Sequence, residues 1–278
     1  MRRSRNSNTP IIDKPVIIDE PNDRILQICE ILFWHKYLPS NWIRHHFPTA
    51  QNNQNFITIL GKLREEQNSY LKWSEWPLNV TAATGRHGVY ELAPRGAKAI
   101  EHPMPANVRG QEVPHELIVS LHECSLKFQA RDLGIPFSFL DPAHYSLPSG
   151  RKWYPDGHPI IIGEPGDETI IHSEIERRKY AESKNDTEEK IEKAYEYVKS
   201  RAYDSDAKKA VVLFLSTTTG RTETLKRYVE ERYTKCSFIG FATTEDWVRE
   251  RSYPKPHEPL VLEWERVGHP PLNLFQKG

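Results

Sequence analysis

Two short stretches hold most of the chemistry this sequence can offer. The first is Trp153-Tyr154-Pro155-Asp156; the second, eighteen residues on from Asp156, is Glu174-Ile175-Glu176. Side chains alternate along a strand, so Glu174 and Glu176 point the same way if Thr169–Glu176 is extended. A hairpin between that strand and the one carrying Asp156 adds a third carboxylate. Three carboxylates in one place repel each other unless a hard cation lies between them. An all-oxygen set of this kind suits Mg²⁺ or Mn²⁺. A metal so held can activate a water and stabilise charge developing on a phosphodiester. The plain alternative is a solvated hairpin, since Asp and Glu are mostly surface residues.

The surrounding pattern supplies elements to position these groups. A helix is expected over His115–Leu133, with Gly134 as its C-cap, then a strand over Ile135–Leu140. Strands over Arg151–Ile162 and Glu168–Glu176 carry the carboxylates. Asp186-Thr187 caps a long charged helix with Ile191, Ala194, Tyr195 and Val198 on one face. Ala210–Leu215 is a continuous apolar run, the mark of a buried strand. A helix over Arg221–Tyr233, a strand over Cys236–Ala242 and a late edge strand over Pro259–Trp264 complete the order. No glycine-rich phosphate loop follows any strand, and no Ser or Cys stands in a nucleophile elbow.

The front of the chain reads differently. Ile25, Ile28, Cys29, Leu32 and Phe33 repeat with helical spacing after Asn22 or Asp23 as N-cap. Ser40 is expected to cap a short helix over Asn41–Phe47, and a third helix runs from Ala50 to about Gln67. Strands at Ser69–Trp73 and Val89–Leu92 follow, then a short helix from Pro94. Three helices and a two-stranded wing make the winged helix-turn-helix order, in which the third helix reads the major groove. Its first turns hold Gln51, Asn52, Asn53, Gln54 and Asn55, and amides of this kind bond adenine edges bidentately. Lys62 and Arg64 on the helix, with Arg86 and His87 in the wing, suit phosphates. A winged helix serving only protein contacts, with the amides as capping groups, is the alternative. The His45-His46 pair lacks a nearby third ligand and is expected to face backbone or surface.

Lys plus Arg and Asp plus Glu both number 38, so the 278-residue chain is neutral overall. Residues 1–110 carry a net charge of +4 and the remainder −4, which suits DNA contact in front and a carboxylate site behind. Cys29, Cys124 and Cys236 lie far apart with no ligand spacing, as in a reduced cytoplasmic protein. Secretory leader and membrane span are both expected to be absent. The expected division is a flexible basic tip at 1–19, a winged helix at 20–102, a Pro-rich linker at 103–113 and a second domain at 114–278. The fold class is α+β or α/β.

The α-β-β-β-α-β order, with Pro155-Asp156 on its second strand and Glu174-Ile175-Glu176 on its third, resembles the restriction-endonuclease-like, or PD-(D/E)xK, superfamily. Taken whole, the chain resembles the replication-relaxation family, which joins a winged helix to a nuclease-like domain. The stretches carrying that likeness also include His115–Val119, Lys190 or Lys193 with Tyr195 or Tyr197, and Val211–Leu215 followed by Arg221. The resemblance implies a metal-dependent nickase of double-stranded DNA, acting at a replication or transfer origin of a mobile element or phage. Asp156, Glu174 and Glu176 would hold Mg²⁺ or Mn²⁺. A monomer would cut one strand and a homodimer both. The superfamily's usual third-motif lysine is Glu176 here, so Lys190 or Lys193 from the next helix would have to replace it. Glu123 could add a further metal ligand. A degenerate nuclease fold that binds DNA without cutting it is the alternative.

Overall fold

The computed structural model describes residues 17–47, 53–73, 88–104, 113–141, 144–176, 184–201, 209–245, 256, 261 and 263–275. It is a mixed α+β protein whose described residues form one large mixed sheet and two small antiparallel ones, of three and two strands.

The front begins with α1 (Asp23–His35), whose N-cap Asn22 accepts the Ile25 amide at 3.1 Å. Its stripe of Ile25, Ile28, Cys29 and Leu32 is buried, as the spacing requires. The chain then forms β1 (Tyr37–Pro39), where the sequence pattern predicts only a helix break. Next, α2 spans Ser40–His45. The expected Ser40 cap is corrected here: the N-cap is Pro39, no side chain caps the helix, and the Ser40 amide bonds the Gly88 carbonyl. The third helix, α3 (Asn53–Arg64), stops three residues short of the expected Gln67, in a turn that leads to positive φ at Ser69. β2 (Leu71–Trp73) and β3 (Val89–Leu92) complete a three-stranded sheet in the order β1-β3-β2, and α4 (Pro94–Ala99) follows.

Behind the front, α5 (Val113–Asp132) is buried along most of its length. It packs on β1 and α1 on one side and on the large sheet on the other. One continuous apolar core therefore runs from Leu32, Trp42 and Leu60 across Leu117, Leu121 and Phe128 to Ile160, Ile171 and Leu213. Each such side chain fully removed from water contributes about 1.5–3 kcal/mol.

The large sheet contains β4 (Phe137–Phe139), β7 (Asp156–Ile162), β8 (Thr169–Glu176), β9 (Lys209–Ser216), β10 (Ile239–Thr243), β11 (Trp264–Arg266) and β12 (His269–Leu272). Its order is β12-β11-β10-β9-β8-β7-β4. The β4, β7 and β8 neighbours are antiparallel, whereas β8, β9 and β10 run parallel. Parallel pairing needs crossovers. These carry α6 (Lys184–Arg201) and α7 (Thr219–Tyr233), which cover the face opposite α5. Buried on both sides, β9 reads as the unbroken apolar run noted above. A small ladder of β5 (Tyr145–Ser146) and β6 (Lys152–Trp153) precedes β7 and was not anticipated as a separate pair. The late strand lies at 264–266 and turns back into β12; of the expected Pro259–Trp264 span, residues 259, 260 and 262 lie outside the described residues. Pro270 and Pro271 on this outermost strand lack the N–H groups that would invite another strand. Among the described residues, no helix is long and apolar enough to cross a membrane.

Candidate active site

Alternation along β8 puts His172, Glu174 and Glu176 on the face covered by α6, while Ser173 and Ile175 face α5. The parallel register sets Glu174 beside Phe214 and Glu176 beside Ser216, at the C-terminal edge of the parallel strands. Ligand sites in open α/β sheets gather at that edge.

Asp156 joins them in another way. It is the first residue of β7 and lies opposite Ser173, after a bulge that separates it from Ile160. Its Oδ2 accepts the Ile175 amide at 2.8 Å, a hydrogen bond that a regular ladder would have given to a backbone carbonyl. The carboxylate thus lies level with the sheet backbone, and groups reach it from both faces. His115 Nε2 of α5 is 3.3 Å from Oδ2, and Lys190 Nζ of α6 is 3.6 Å from the same atom. Gly157 follows with φ +72°, and a Cβ there would stand 2.6 Å from Glu123 Oε1. Glycine is required on both counts.

Lys190 sits at the centre of the cluster. Its Nζ is 3.2 Å from Glu174 Oε2 and 3.2 Å from Glu176 Oε1. Lys193 does not join them: it pairs with Glu189 on its own helix at 2.7 Å. The remaining oxygens are fixed from the protein side. Trp153 Nε1 donates to Glu174 Oε1 at 2.7 Å, and Arg221 Nη2 donates to Glu176 Oε2 at 3.0 Å. Glu174 is fully buried and Glu176 nearly so. Burial, then the charge of Asp156, pushes the Glu174 carboxyl up to about 8, against the pull of Lys190 and Trp153. Lys190 loses some basicity to burial but gains more from the carboxylates, so its ammonium is held above the usual lysine range.

Glu174 Oε2 and Glu176 Oε1 are in ion-pair range of Lys190 but receive no well-directed hydrogen bond. Two buried, inward-facing carboxylate oxygens with a third carboxylate alongside fit a hard, oxygen-preferring cation. Asp156, Glu174 and Glu176 are the residues that would hold it, and Lys190 would have to withdraw.

Glu123 does not join this cluster. It lies on the α5 side, where its Oε2 meets His35 Nδ1 at 3.0 Å and its Oε1 accepts the His158 amide at 2.6 Å, with His158 Nδ1 3.0 Å away. Burial raises this carboxyl, but the bonds from His158 and His35 outweigh it and hold the group at about 2. Between Glu123 and Asp156 lies a cavity of about 260 Å³, lined in part by Trp34, Lys36, His115, Glu116 and His158.

Of the groups expected to meet DNA, Gln51, Asn52, Arg86 and His87 lie outside the described residues. Asn53 opens α3, and Asn55 is exposed on its first turn. Lys62 is half-buried, and the exposed Arg64 lays its guanidinium 4.4 Å from the Trp73 ring centre. Trp153 and His115 have no expected role from the sequence alone. Each stands close to a flagged motif, Trp153 three residues before Asp156, but that proximity does not reveal which acid it would meet. No family model, no curated protein and no solved structure matches this chain.

Proposed function

We propose that the chain is a metal-dependent endonuclease that nicks duplex DNA, as its resemblance to the replication-relaxation family implies. The observation that carries this reading is the convergence of Asp156, Glu174, Glu176 and Lys190, with two buried carboxylate oxygens facing inward and lacking directed hydrogen bonds. Bound Mg²⁺ or Mn²⁺ would supply an activated water and charge stabilisation at the phosphate. The chain supplies the rest. Trp153 and Arg221 fix the outer oxygens of Glu174 and Glu176, so the inner ones need no reorganisation. Lys190, displaced from the centre but tethered beside it, is a cation for the scissile phosphate or a donor that orients the attacking water. His115 contacts Asp156 from the opposite face and holds it in line.

The order α1, β1, α2, α3, β2, β3 supports a winged helix in front, with α3 as the reading helix. Asn55 and its neighbours would meet base edges and Lys62 phosphates. Incubation with supercoiled plasmids carrying candidate origins, with and without Mg²⁺ or Mn²⁺, tests the reading. Conversion to open circles only with metal is expected. Failure to cut any DNA under Mn²⁺, the native target included, would sink it. One observation favours a second reading, a non-cutting DNA-binding protein: Lys190 already neutralises part of the cluster, as a structural ion pair would. Specific DNA retention without metal-dependent nicking would select that alternative.

A further inference from the structure

The His45-His46 pair and the scattered cysteines have no ligand spacing along the chain, yet folding brings members of both sets together. One ring nitrogen each from His35 and His46 and the Cys124 sulfur lie within 4.8 Å of one another. One of these distances, Cys124 Sγ to His46 Nε2, is 3.4 Å. His35 ends α1, His46 follows the last turn of α2, and Cys124 lies in the middle of α5. Cys124 and His35 are buried and His46 is half-buried. The cluster lies on the α5 side of the sheet, across from Lys190.

Two imidazoles and a thiol are not a set for Mg²⁺. Borderline-soft Zn²⁺ takes them, commonly with three protein ligands and a water in the fourth place. Metal–sulfur and metal–nitrogen bonds of about 2.3 and 2.0–2.1 Å put tetrahedral ligand atoms about 3.3–3.6 Å apart. The 3.4 Å contact already meets that spacing, and the other pairs, within 4.8 Å, need to close by at most about 1.5 Å. The surroundings match a built site. His35 Nδ1 lies 3.0 Å from Glu123 Oε2, so donating that N–H leaves Nε2 with the lone pair. A carboxylate behind a ligating histidine fixes the ring and raises its basicity. Glu123 is itself anchored by His158. Two cations oppose an ion there: Lys127, whose Nζ stands 3.4 Å from His46 Nδ1, and Arg131, whose charge also bears on that ring.

We propose that His35, His46 and Cys124 form a zinc site that ties α1 and α2 to α5, separate from the carboxylate cluster. The test uses full-length, untagged protein dialysed against Zn²⁺ and then against metal-free buffer. Close to one zinc per chain should remain by mass spectrometry, and Co²⁺ should give a thiolate-to-cobalt charge-transfer band. Cys124→Ser and His46→Gln should each lose the band and most of the zinc. Lys127→Met should bind zinc severalfold more tightly, and Glu174→Gln should bind it normally, which separates this site from the proposed catalytic one. Folded wild-type protein that retains no zinc and shows no cobalt band would overturn the proposal, leaving a simple S–H···N contact. If Cys124→Ser fails to fold, His46→Gln at the half-exposed position decides: an unchanged band there would also overturn it.

Discussion

Replacing Glu174 by Gln tests the carboxylate cluster without any substrate. Its carboxyl is fully buried and pushed up to about 8, while in the unfolded chain it titrates near 4.5. Between those values the folded protein keeps a proton that the unfolded chain has released, so folding stability must fall as pH rises. The slope is about 1.4 kcal/mol per pH unit, and the whole window costs at most about 5 kcal/mol, less whatever relaxation and water entry recover. Glutamine has no such slope. In divalent-free buffer the wild type should therefore lose ground to Glu174→Gln between pH 5 and pH 8. At about 2–4 °C per kcal/mol for a chain of this size, the gap in Tm should widen by roughly 10 °C. A divalent cation competes with the proton for the same oxygens. Mg²⁺ or Mn²⁺ at a hundred times its Kd should restore about 2.7 kcal/mol to the wild type. That gain should grow with pH and be much smaller in the variant. Differential scanning calorimetry from pH 5 to 9, with and without metal, measures all of this. Parallel pH profiles, or equal metal responses, would refute both the buried-charge account and the metal site.

Asp156→Ala should abolish metal-dependent nicking while leaving DNA affinity largely intact; a gel shift lost together with cleavage would put Asp156 in the DNA-binding surface instead. Gly157→Ala should destabilise the fold by about 1–3 kcal/mol, because a Cβ meets Glu123 Oε1 and the left-handed backbone disfavours any side chain; a chemical-denaturation midpoint equal to wild type would contradict the close approach. Asn52→Ala and Asn55→Ala should relax sequence preference at about 1–3 kcal/mol per lost base contact. Lys62→Ala and Arg86→Ala should instead weaken all duplexes alike and flatten the salt dependence, so equal losses on specific and random DNA for the asparagine variants would move base reading to another element.

How much was legible in the sequence depended on the range of the interaction. The helices α1, α5 and α7 followed from apolar spacing, and β8 and β9 from alternation and a continuous apolar run, because those signals are local. Glu174 and Glu176 sharing a face followed from period two alone. Lys190 and Lys193 are two candidates on the same helix, and only the packing of Ile191 onto the sheet decides that Lys190, not Lys193, meets the carboxylates. β1 was invisible because a three-residue strand ending in proline carries no alternation to read; its partner β3 defines it. Glu123 reads in the sequence as a possible further metal ligand because carboxylates attract that reading, whereas its partners, His35 and His158, come from 88 and 35 residues away.

The bulge in β7 separates two constraints that share one strand. Ile160, Ile161 and Ile162 pair with Ile171, Ile170 and Thr169 in strict register, and continuing that register would set residue 158 opposite Ser173. Asp156 occupies that place because two additional residues are looped out. Deleting two residues between Asp156 and Ile160 would thus leave the aspartate in the same seat and the isoleucine run undisturbed. What such a deletion removes is the link to Glu123, through the His158 amide and the closeness allowed by Gly157. The spacing from acid to apolar run is therefore adjustable, and a sequence comparison that insists on contiguous columns would pass over a chain in which only that spacing had changed.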